Sequence, residues 1–218
     1  MSSFQASVLI KYLNEQEKQA VADAYEKYKS YFFNPVIQQN IRESKEEQFQ
    51  EGFLRELFVN ILGYTINPNP NYNLTTEFKN ETGPKKADGA ILSPLQGGKG
   101  GVKAIGVIEL KSTKTKDLES IRQQAFDYKA NQSECVYVIT SNFEKLRFYI
   151  NNAVEFEEFD LFTITPDRFE LLYLCLSHTN ILNNLPQKIK EASVQQEEVI
   201  TKRSMPTIHP LKETSSTT

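Results

Sequence analysis

The feature that most constrains the fold is the apolar run of residues 104–108, A-I-G-V-I, which leads directly into Glu109, Leu110 and Lys111. A short, uninterrupted apolar run is typical of a strand covered on both faces of its sheet. Side chains alternate along a strand, so Val107, Glu109 and Lys111 are expected on the same side. A carboxylate and an ammonium therefore leave the end of a strand whose beginning lies in the core. An ionised Glu109 at that depth needs a partner or a cation.

A second acid lies on the preceding strand. Residues 86–92, K-A-D-G-A-I-L, predict a short strand with Asp88 near its beginning. Taken separately, the two signals are weak, because Asp88-Gly89 is more often a turn and Glu109-x-Lys111 is more often a solvated strand end. Together they form a more specific pattern, in which an acid at the start of one short strand is followed by E-x-K at the end of the next.

The remaining periodicities predict an α/β fold with a central mixed sheet flanked by helices. Strands are expected at residues 74–78, 86–92, 104–111, 135–140 and 145–150, and helices at 14–31, 41–62, 118–130, 165–175 and 186–199. We expect one domain over residues 1–200. It comprises a helical part (1–63), a core (64–160) and C-terminal helices (161–200). The Ser/Thr-rich residues 201–218 are expected to be a disordered tail. The glycine-rich residues 94–101 lack phosphate-loop spacing and predict a hairpin loop.

Acidic residues continue the apolar stripe of the predicted helix 41–62. The stripe occupies residues 54–61, and Glu47 lies seven positions before Leu54, on the same face of an ideal helix. Glu43 and Glu51 flank it by one turn. Such acids can mean that the helix has emerged into water, or that a carboxylate faces a buried cation. The sequence leaves open which of the three glutamates faces the site.

The predicted helix 118–130 places two polar side chains on one face. Gln124 and Tyr128 are four residues apart and therefore adjacent, and Gln124 borders the apolar stripe. Asp117 is a suitable N-cap for this helix. Gln124 is either a functional group or a partly buried glutamine at an interface.

The charge of the chain is unevenly distributed. The net charge is −3, yet residues 79–116 contain eight lysines and three acids, which gives 8 − 3 = +5 and leaves −8 for the rest. A basic field around an acidic centre suits phosphate-backbone binding beside a metal site. The alternative is that these lysines only keep loops and strand edges in solution.

Other features exclude several protein classes. No apolar run reaches the ~18 residues of a membrane span, and the N-terminus lacks the features of a secretory signal. The chain has two cysteines and two histidines, widely separated, which argues against a zinc site. Cys135 and Cys175 lie in apolar surroundings and are expected to be buried free thiols in a reducing, cytoplasmic environment.

Several segments together resemble one family. An acid on one strand followed by E-x-K on the next matches the PD-(D/E)XK nuclease pattern. With Glu47, the matching segments are F-L-R-E-L-F-V-N-I-L-G-Y (53–64), K-K-A-D-G-A-I (85–91), G-V-I-E-L-K-S (106–112), Q-A-F-D-Y (124–128) and S-N-F-E-K-L-R-F-Y-I (141–150). Over residues 32–201 they resemble the N-terminal nuclease domain of type IIG restriction enzymes, in which nuclease and DNA methyltransferase share a polypeptide. The proline of the pattern is displaced, since Lys86-Ala87 precedes Asp88.

The resemblance implies a restriction-endonuclease-like core and a Mg²⁺ site, with Mn²⁺ able to substitute. Asp88, Glu109 and the backbone carbonyl of Leu110 would be metal ligands. Glu47 would add a carboxylate to a second metal or to the surroundings of the first. Oxygen ligands of this kind suit Mg²⁺, which retains waters for substrate phosphate.

The resemblance also assigns roles to the neighbouring polar groups. Lys111 would hold or help deprotonate the attacking water and stabilise charge in the transition state, with its own pKa lowered by burial and by the metal. Gln124 and Tyr128 would orient Lys111, a water or the DNA backbone.

The expected activity is therefore metal-dependent endonucleolytic hydrolysis of double-stranded DNA. Methyltransferase and specificity modules would lie on another chain or be missing, because no N-P-P-Y-like motif is present. Cutting both strands often needs two copies, so a dimer is an open expectation. No membrane partner is expected. The alternatives are a non-catalytic or truncated DNA-binding remnant of such a system, and an unrelated α/β interaction domain.

Overall fold

The centre of the fold is a six-stranded mixed sheet, in a computed structural model that describes residues 3–79, 86–93 and 103–204. The strands lie in chain order across the sheet, and only the central pair, β3 and β4, is parallel. The strands are β1 (Leu74–Lys79), β2 (Lys86–Ser93), β3 (Lys103–Leu110), β4 (Tyr137–Ser141), β5 (Lys145–Ile150) and β6 (Phe156–Asp160). The predicted α/β class with a mixed sheet is confirmed.

A helical crossover joins the two parallel strands, as parallel neighbours require. This helix, α5 (Leu118–Ala130), follows β3 and precedes β4. Its N-cap is Asp117, whose Oδ1 accepts the N–H of Glu119 at 2.8 Å. Helix α5 packs on one face of the sheet, which we call the α5 face. The apolar residues between them include Val107, Ala125, Tyr128, Val138 and Tyr149.

The opposite face, which we call the helical face, shares one large core with the other helices. These are α1 (Ala6–Glu15), α2 (Lys18–Phe32), α3 (Pro35–Glu43), α4 (Glu46–Phe53), a π-helical segment (Leu54–Ile61), α6 (Pro166–Leu176), α7 (His178–Leu182) and α8 (Leu185–Ser204). Ile108 and Leu110 point into this core, and they alternate along β3 with Val107 and Glu109, which point to the α5 face. The alternation along β3 therefore separates the two faces residue by residue.

The predicted helix 41–62 is wrong as a single element. Helix α3 ends at Glu43, and α4 begins at Glu46 after two intervening residues. From Leu54 the hydrogen bonds widen to the π pattern, and the N–H of Leu62 bonds the carbonyl of Leu57 at 3.0 Å. Gly63, with φ of +83°, ends the helix as predicted.

Other differences from prediction lie at the chain ends and the sheet edge. Helix α1 was not predicted, and neither was β6, because its acidic sequence F-E-E-F-D is not typical of a strand. Helix α8 continues to Ser204, so residues 201–204 are helical rather than part of a disordered tail. The rest of that predicted tail, the glycine-rich loop 94–101 and the turn at 81–84 lie outside the described residues.

Both cysteines are buried and free, as predicted. Burial raises the pKa of the Cys135 thiol to about 12 and raises that of Cys175 well above its ordinary value. Both thiols therefore stay protonated at neutral pH and behave as small apolar groups. Among the helices of the described ranges, none has the length and apolar character needed to cross a membrane.

Candidate active site

Strands β2 and β3 bring the two predicted acids together. Gly89 pairs with Ile108 in the antiparallel ladder, which places Asp88 and Glu109 opposite each other one step further on. Asp88 Oδ2 accepts the backbone N–H of Leu110 at 2.7 Å. The Glu109 side chain is 1% exposed and that of Asp88 is 20% exposed. One carboxylate is thus buried, and the other stands at the opening above it.

The ammonium of Lys111 lies where the oxygens of this site converge. Its Nζ is 2.9 Å from Glu109 Oε1, 3.0 Å from the Leu110 carbonyl oxygen and 3.2 Å from Glu46 Oε1. Asp88 Oδ2 is 4.0 Å away. Three carboxylates and one carbonyl therefore surround a single positive charge. The structure brings Asp88, Glu109 and Lys111 together as the sequence predicted.

Helix α5 contributes the two predicted polar groups to the same cluster. Gln124 Nε2 donates to Glu109 Oε1 at 2.6 Å and to the Tyr128 hydroxyl at 3.0 Å. The four-residue spacing places both side chains on the face that packs against β3. Gln124 therefore contacts Glu109 directly, while Tyr128 acts on it only through Gln124.

The glutamate that reaches the site is Glu46 and not Glu47. Glu47 is exposed, and so are the other two candidates, Glu43 and Glu51. Glu43 accepts a hydrogen bond from Gln39, and Glu51 pairs with Arg55 along its own helix. Glu46, by contrast, is half-buried and forms an ion pair with Lys111.

The phase of the helix explains this correction. The stripe used for the prediction, residues 54–61, lies in the π-helical segment, which turns by less than the ~100° per residue of an α-helix, so its direction does not carry over to α4. The buried residues of α4 itself are Phe49 and Phe53, and Glu46 precedes them by three and seven residues on the same face. Gln50, one turn after Glu46, also faces the site and helps to lower the pKa of Asp88. The spacing of the two phenylalanines is the signal that could have identified Glu46.

Burial governs the protonation of both acids. It raises the pKa of Glu109 to about 7; the negative charges of Asp88 and Glu46 add to this effect and Lys111 opposes it. Burial also raises the pKa of Asp88, against the N–H of Leu110 and the charge of Lys111. A positive charge at this site therefore stabilises the ionised form of both carboxyl groups.

Two opposing effects act on the pKa of Lys111. Burial alone lowers its pKa, but the hydrogen bond and charge of Glu109, with Asp88 and Glu46, outweigh burial and raise the pKa above its ordinary value. The protein groups by themselves therefore keep Lys111 protonated. Burial acts in the expected direction, and the further lowering by a metal ion stays a prediction. Lys111 serves here as a hydrogen-bond donor and a positive charge.

The donor set is compatible with a hard cation. Asp88, Glu109 and the Leu110 carbonyl supply oxygens, and Glu109 Oε2 is buried without a hydrogen-bond partner in the protein. Within residues 3–79, 86–93 and 103–204, no three His, Cys, Asp or Glu side chains group closely enough to hold a metal by themselves. Mg²⁺ commonly uses only one or two carboxylates and takes its other ligands from water and substrate phosphate. The residues fit that mode and do not form an all-protein cage.

The basic segment is partly neutralised in the folded protein. Four of its lysines form ion pairs with acids outside residues 79–116: Lys86 with Glu77, Lys103 with Glu134, Lys111 with Glu46 and Lys116 with Glu144. These ion pairs therefore offset part of the positive charge that the sequence concentrates in residues 79–116.

Comparisons of the chain with models of known protein families, with curated proteins and with solved structures give no match. The functional argument therefore depends on the geometry of this site.

Proposed function

We propose that this chain is a metal-dependent DNA endonuclease domain with a restriction-endonuclease-like PD-(D/E)XK core, the nuclease module of a type IIG restriction-modification system. The observation that carries the proposal is the meeting of Asp88, Glu109 and Lys111 at the ends of two adjacent strands. Two acids and an amine at this spacing are suited to hydrolysis of a phosphodiester beside a hard cation. Double-stranded DNA is the proposed substrate, and the cytoplasm is the proposed location.

Each side chain has a role under this proposal. Asp88, Glu109 and the Leu110 carbonyl would hold Mg²⁺ or Mn²⁺, which would polarise the phosphate and lower the pKa of a bound water. Lys111, protonated and 25% exposed, can donate to a phosphate oxygen or orient the attacking water. Glu46 holds the ammonium of Lys111 from the side of α4.

Gln124 fixes the buried acid from the other side. Its Nε2 donates to the same oxygen, Glu109 Oε1, that accepts from Lys111. The rotamer of Glu109 is thus held from two directions before substrate arrives. Such preorganisation reduces the ordering that the reaction itself would require.

A plasmid-cleavage assay tests the proposal. Wild-type protein in Mg²⁺ is expected to convert supercoiled DNA to nicked and linear forms, and Glu109→Ala is expected to abolish this conversion. Glu15→Ala is the control, because Glu15 lies on the exposed surface of α1, in an ion pair with Lys11. Equal cleavage by wild type and Glu109→Ala would end the proposal.

A second candidate is a DNA-binding remnant that does not cut. The observation that favours it is the ion-pair network, in which Glu46 and Glu109 already neutralise the ammonium of Lys111. Binding to a fluorescent DNA duplex without cleavage in either Mg²⁺ or Mn²⁺ would support this function. The nuclease proposal carries three further proposals. They are recognition of a DNA sequence, a partner methyltransferase and dimer formation for double-strand cleavage.

A further inference from the structure

A row of polar residues crosses the sheet beneath α5 and begins at the candidate active site. Glu109 pairs in register with Thr140 on β4, Thr140 pairs with Arg147 on β5, and Arg147 pairs with Glu158 on β6. Residues paired in register point to the same face of a sheet. We call Glu109, Thr140, Arg147 and Glu158 the polar row. Its outer end is closed by Arg147 Nε, which donates to Glu158 Oε2 at 2.6 Å.

Several buried polar atoms along this row have no hydrogen-bond partner in the protein. They are Glu109 Oε2, Thr140 Oγ1, Arg147 Nη1 and the hydroxyl of Tyr149. Thr140 and Tyr149 are fully buried, each 0% exposed. A buried polar group left without a partner is destabilising, because it has lost its hydrogen bonds to water. Such atoms are uncommon in folded proteins, so a group of them beside one site needs an explanation.

Tyr149 belongs to the same group because of its place on β5. It follows Arg147 by two residues and therefore lies on the α5 face, where its ring meets Phe126 at 5.4 Å and Phe156 at 5.3 Å. Burial raises the pKa of its hydroxyl, and its contacts with the side chains of Arg147 and Thr140 oppose that rise. The three side chains are thus near neighbours, and Arg147 Nη1 also lies 4.0 Å from Glu119 Oε2.

We propose that Thr140 Oγ1, the Tyr149 hydroxyl, Arg147 Nη1 and Glu109 Oε2 line a buried binding site for ordered water, and that Thr140 is a positioning residue for Glu109. A buried water typically makes two to four hydrogen bonds to such groups. Hydroxyls can both donate and accept, whereas Arg147 can only donate and an ionised Glu109 can only accept. A water here accepts from Arg147 or a hydroxyl and donates to Glu109.

The consequence concerns both oxygens of the buried acid. Glu109 Oε1 already accepts from Lys111 and Gln124, whereas Oε2 has no donor within the protein. Water held by Thr140 supplies that donor and fixes the plane of the carboxylate. This deepens the proposed function, on which the role of Thr140 depends. Groups that orient metal-binding carboxylates typically contribute 10–100-fold to metal affinity.

A crystal structure of the full chain tests the water site independently of any activity. We expect ordered solvent within hydrogen-bond distance of Thr140 Oγ1, the Tyr149 hydroxyl and Glu109 Oε2. Crystals of Thr140→Val are expected to lack that solvent and to show the Glu109 carboxylate rotated or less ordered. A dry interior, or direct hydrogen bonds among the four atoms, would overturn the proposal.

Calorimetric Mn²⁺ titration tests the positioning role. Thr140→Val keeps the shape and removes the hydroxyl, so we expect about tenfold weaker binding, and Thr140→Ser is expected to restore the wild-type affinity. Thr75→Val is the matched control, a buried threonine on β1 whose hydroxyl bonds the carbonyl of Thr76. Tyr149→Phe, which keeps its ring contacts, serves if Thr140→Val does not fold.

The outcomes separate the two proposals. Wild-type affinity in both Thr140→Val and Tyr149→Phe overturns the positioning role, and so does a Thr140→Ser variant as weak as Thr140→Val. If the wild type binds no Mn²⁺ and cleaves no DNA, the proposed function fails and the positioning role fails with it. The crystal structure still decides the water site in that case.

Discussion

The two faces of the sheet use buried tyrosines in opposite ways. On the helical face, the hydroxyls of Tyr28 and Tyr64 are buried and donate to the carbonyl oxygens of Leu161 and Leu176. On the α5 face, the hydroxyl of Tyr149 is equally buried but has no partner in the protein. The helical face combines apolar contacts with these two hydrogen-bonded hydroxyls and chiefly stabilises the fold. The α5 face holds charged groups and buried polar atoms without a hydrogen-bond partner. Such groups lower the stability of a fold but are common at functional sites.

The largest effect is expected from a cavity on the helical face. Phe53 is fully buried, and its ring packs against Phe32, Phe143 and Phe58 at 5.3–6.5 Å. Phe53→Ala should lower the free energy of unfolding by about 3–5 kcal/mol, measured by urea denaturation. The control Val36→Ala, at a side chain 66% exposed, should change little. A loss below about 1 kcal/mol for Phe53→Ala would contradict a tightly packed helical face.

The next effect separates function from stability on the α5 face. Glu109→Gln keeps the shape and removes a charge that burial disfavours, so cleavage in Mg²⁺ should fall by about 100-fold while urea stability is largely retained. Asp88 and Glu46 still face Lys111 in this variant. A stability loss as large as that of Phe53→Ala would show that the two faces do not differ in this way.

A smaller effect is expected where α4 meets the site. Glu46→Gln removes one ion-pair partner of Lys111 and should lower the cleavage rate by about tenfold. Glu47→Gln is the matched variant on the exposed side of the same helix and should cleave at the wild-type rate. Slower cleavage by Glu47→Gln and wild-type cleavage by Glu46→Gln would show that Glu47 faces the site, as an ideal α-helix predicts.

The smallest effect is a pH dependence on the helical face. Asn73 Oδ1 accepts the N–H of Thr65, so its Nδ2 donates to His178 Nε2 at 2.8 Å and that nitrogen must be unprotonated. Burial lowers the pKa of His178. As pH falls through the ordinary value of 6.5, the unfolded chain binds the proton before the folded one, so stability is lost.

Urea unfolding above and below pH 6.5 measures this loss. His178→Gln should remove the contribution of His178 to the dependence of unfolding free energy on pH, because glutamine does not titrate. An identical slope in the variant and the wild type would show that the contact with Asn73 does not depend on the protonation state of His178.

Much of the fold followed from local pattern. The apolar run before Glu109, the helix with Asp117 as N-cap and the helix stop at Gly63 all depend on neighbours within a few residues. Two elements did not follow. Strand β6 is acidic and is held by its ladder with β5, which includes the ion pair of Arg147 with Glu158. Helix α1 has its neighbour far away in the chain, where Gln5 N–H bonds Ser193. Neither partner is visible in the local sequence.

The candidate site shows the same division. Asp88, Glu109, Lys111, Gln124 and Tyr128 could be predicted because the resemblance to the PD-(D/E)XK pattern placed them in one site, and because strand and helix periodicities fix which side chains of one element share a face. Glu46 was missed because the apolar stripe used for the projection, residues 54–61, lies in the π-helical segment, whereas Glu46 shares a face with Phe49 and Phe53 of α4. Thr140 and Tyr149 gave no signal, because their place beside Glu109 depends on the register of β3, β4 and β5.

By itself, then, the sequence determined the types of chemical group present and which of them share one strand or one helix face, since these depend on backbone geometry that repeats every two or 3.6 residues. Only the tertiary structure decided which glutamate meets Lys111 and which polar atoms remain buried without a partner. Those outcomes depend on how distant elements pack, and the free energy of packing is shared among contacts that no local stretch contains.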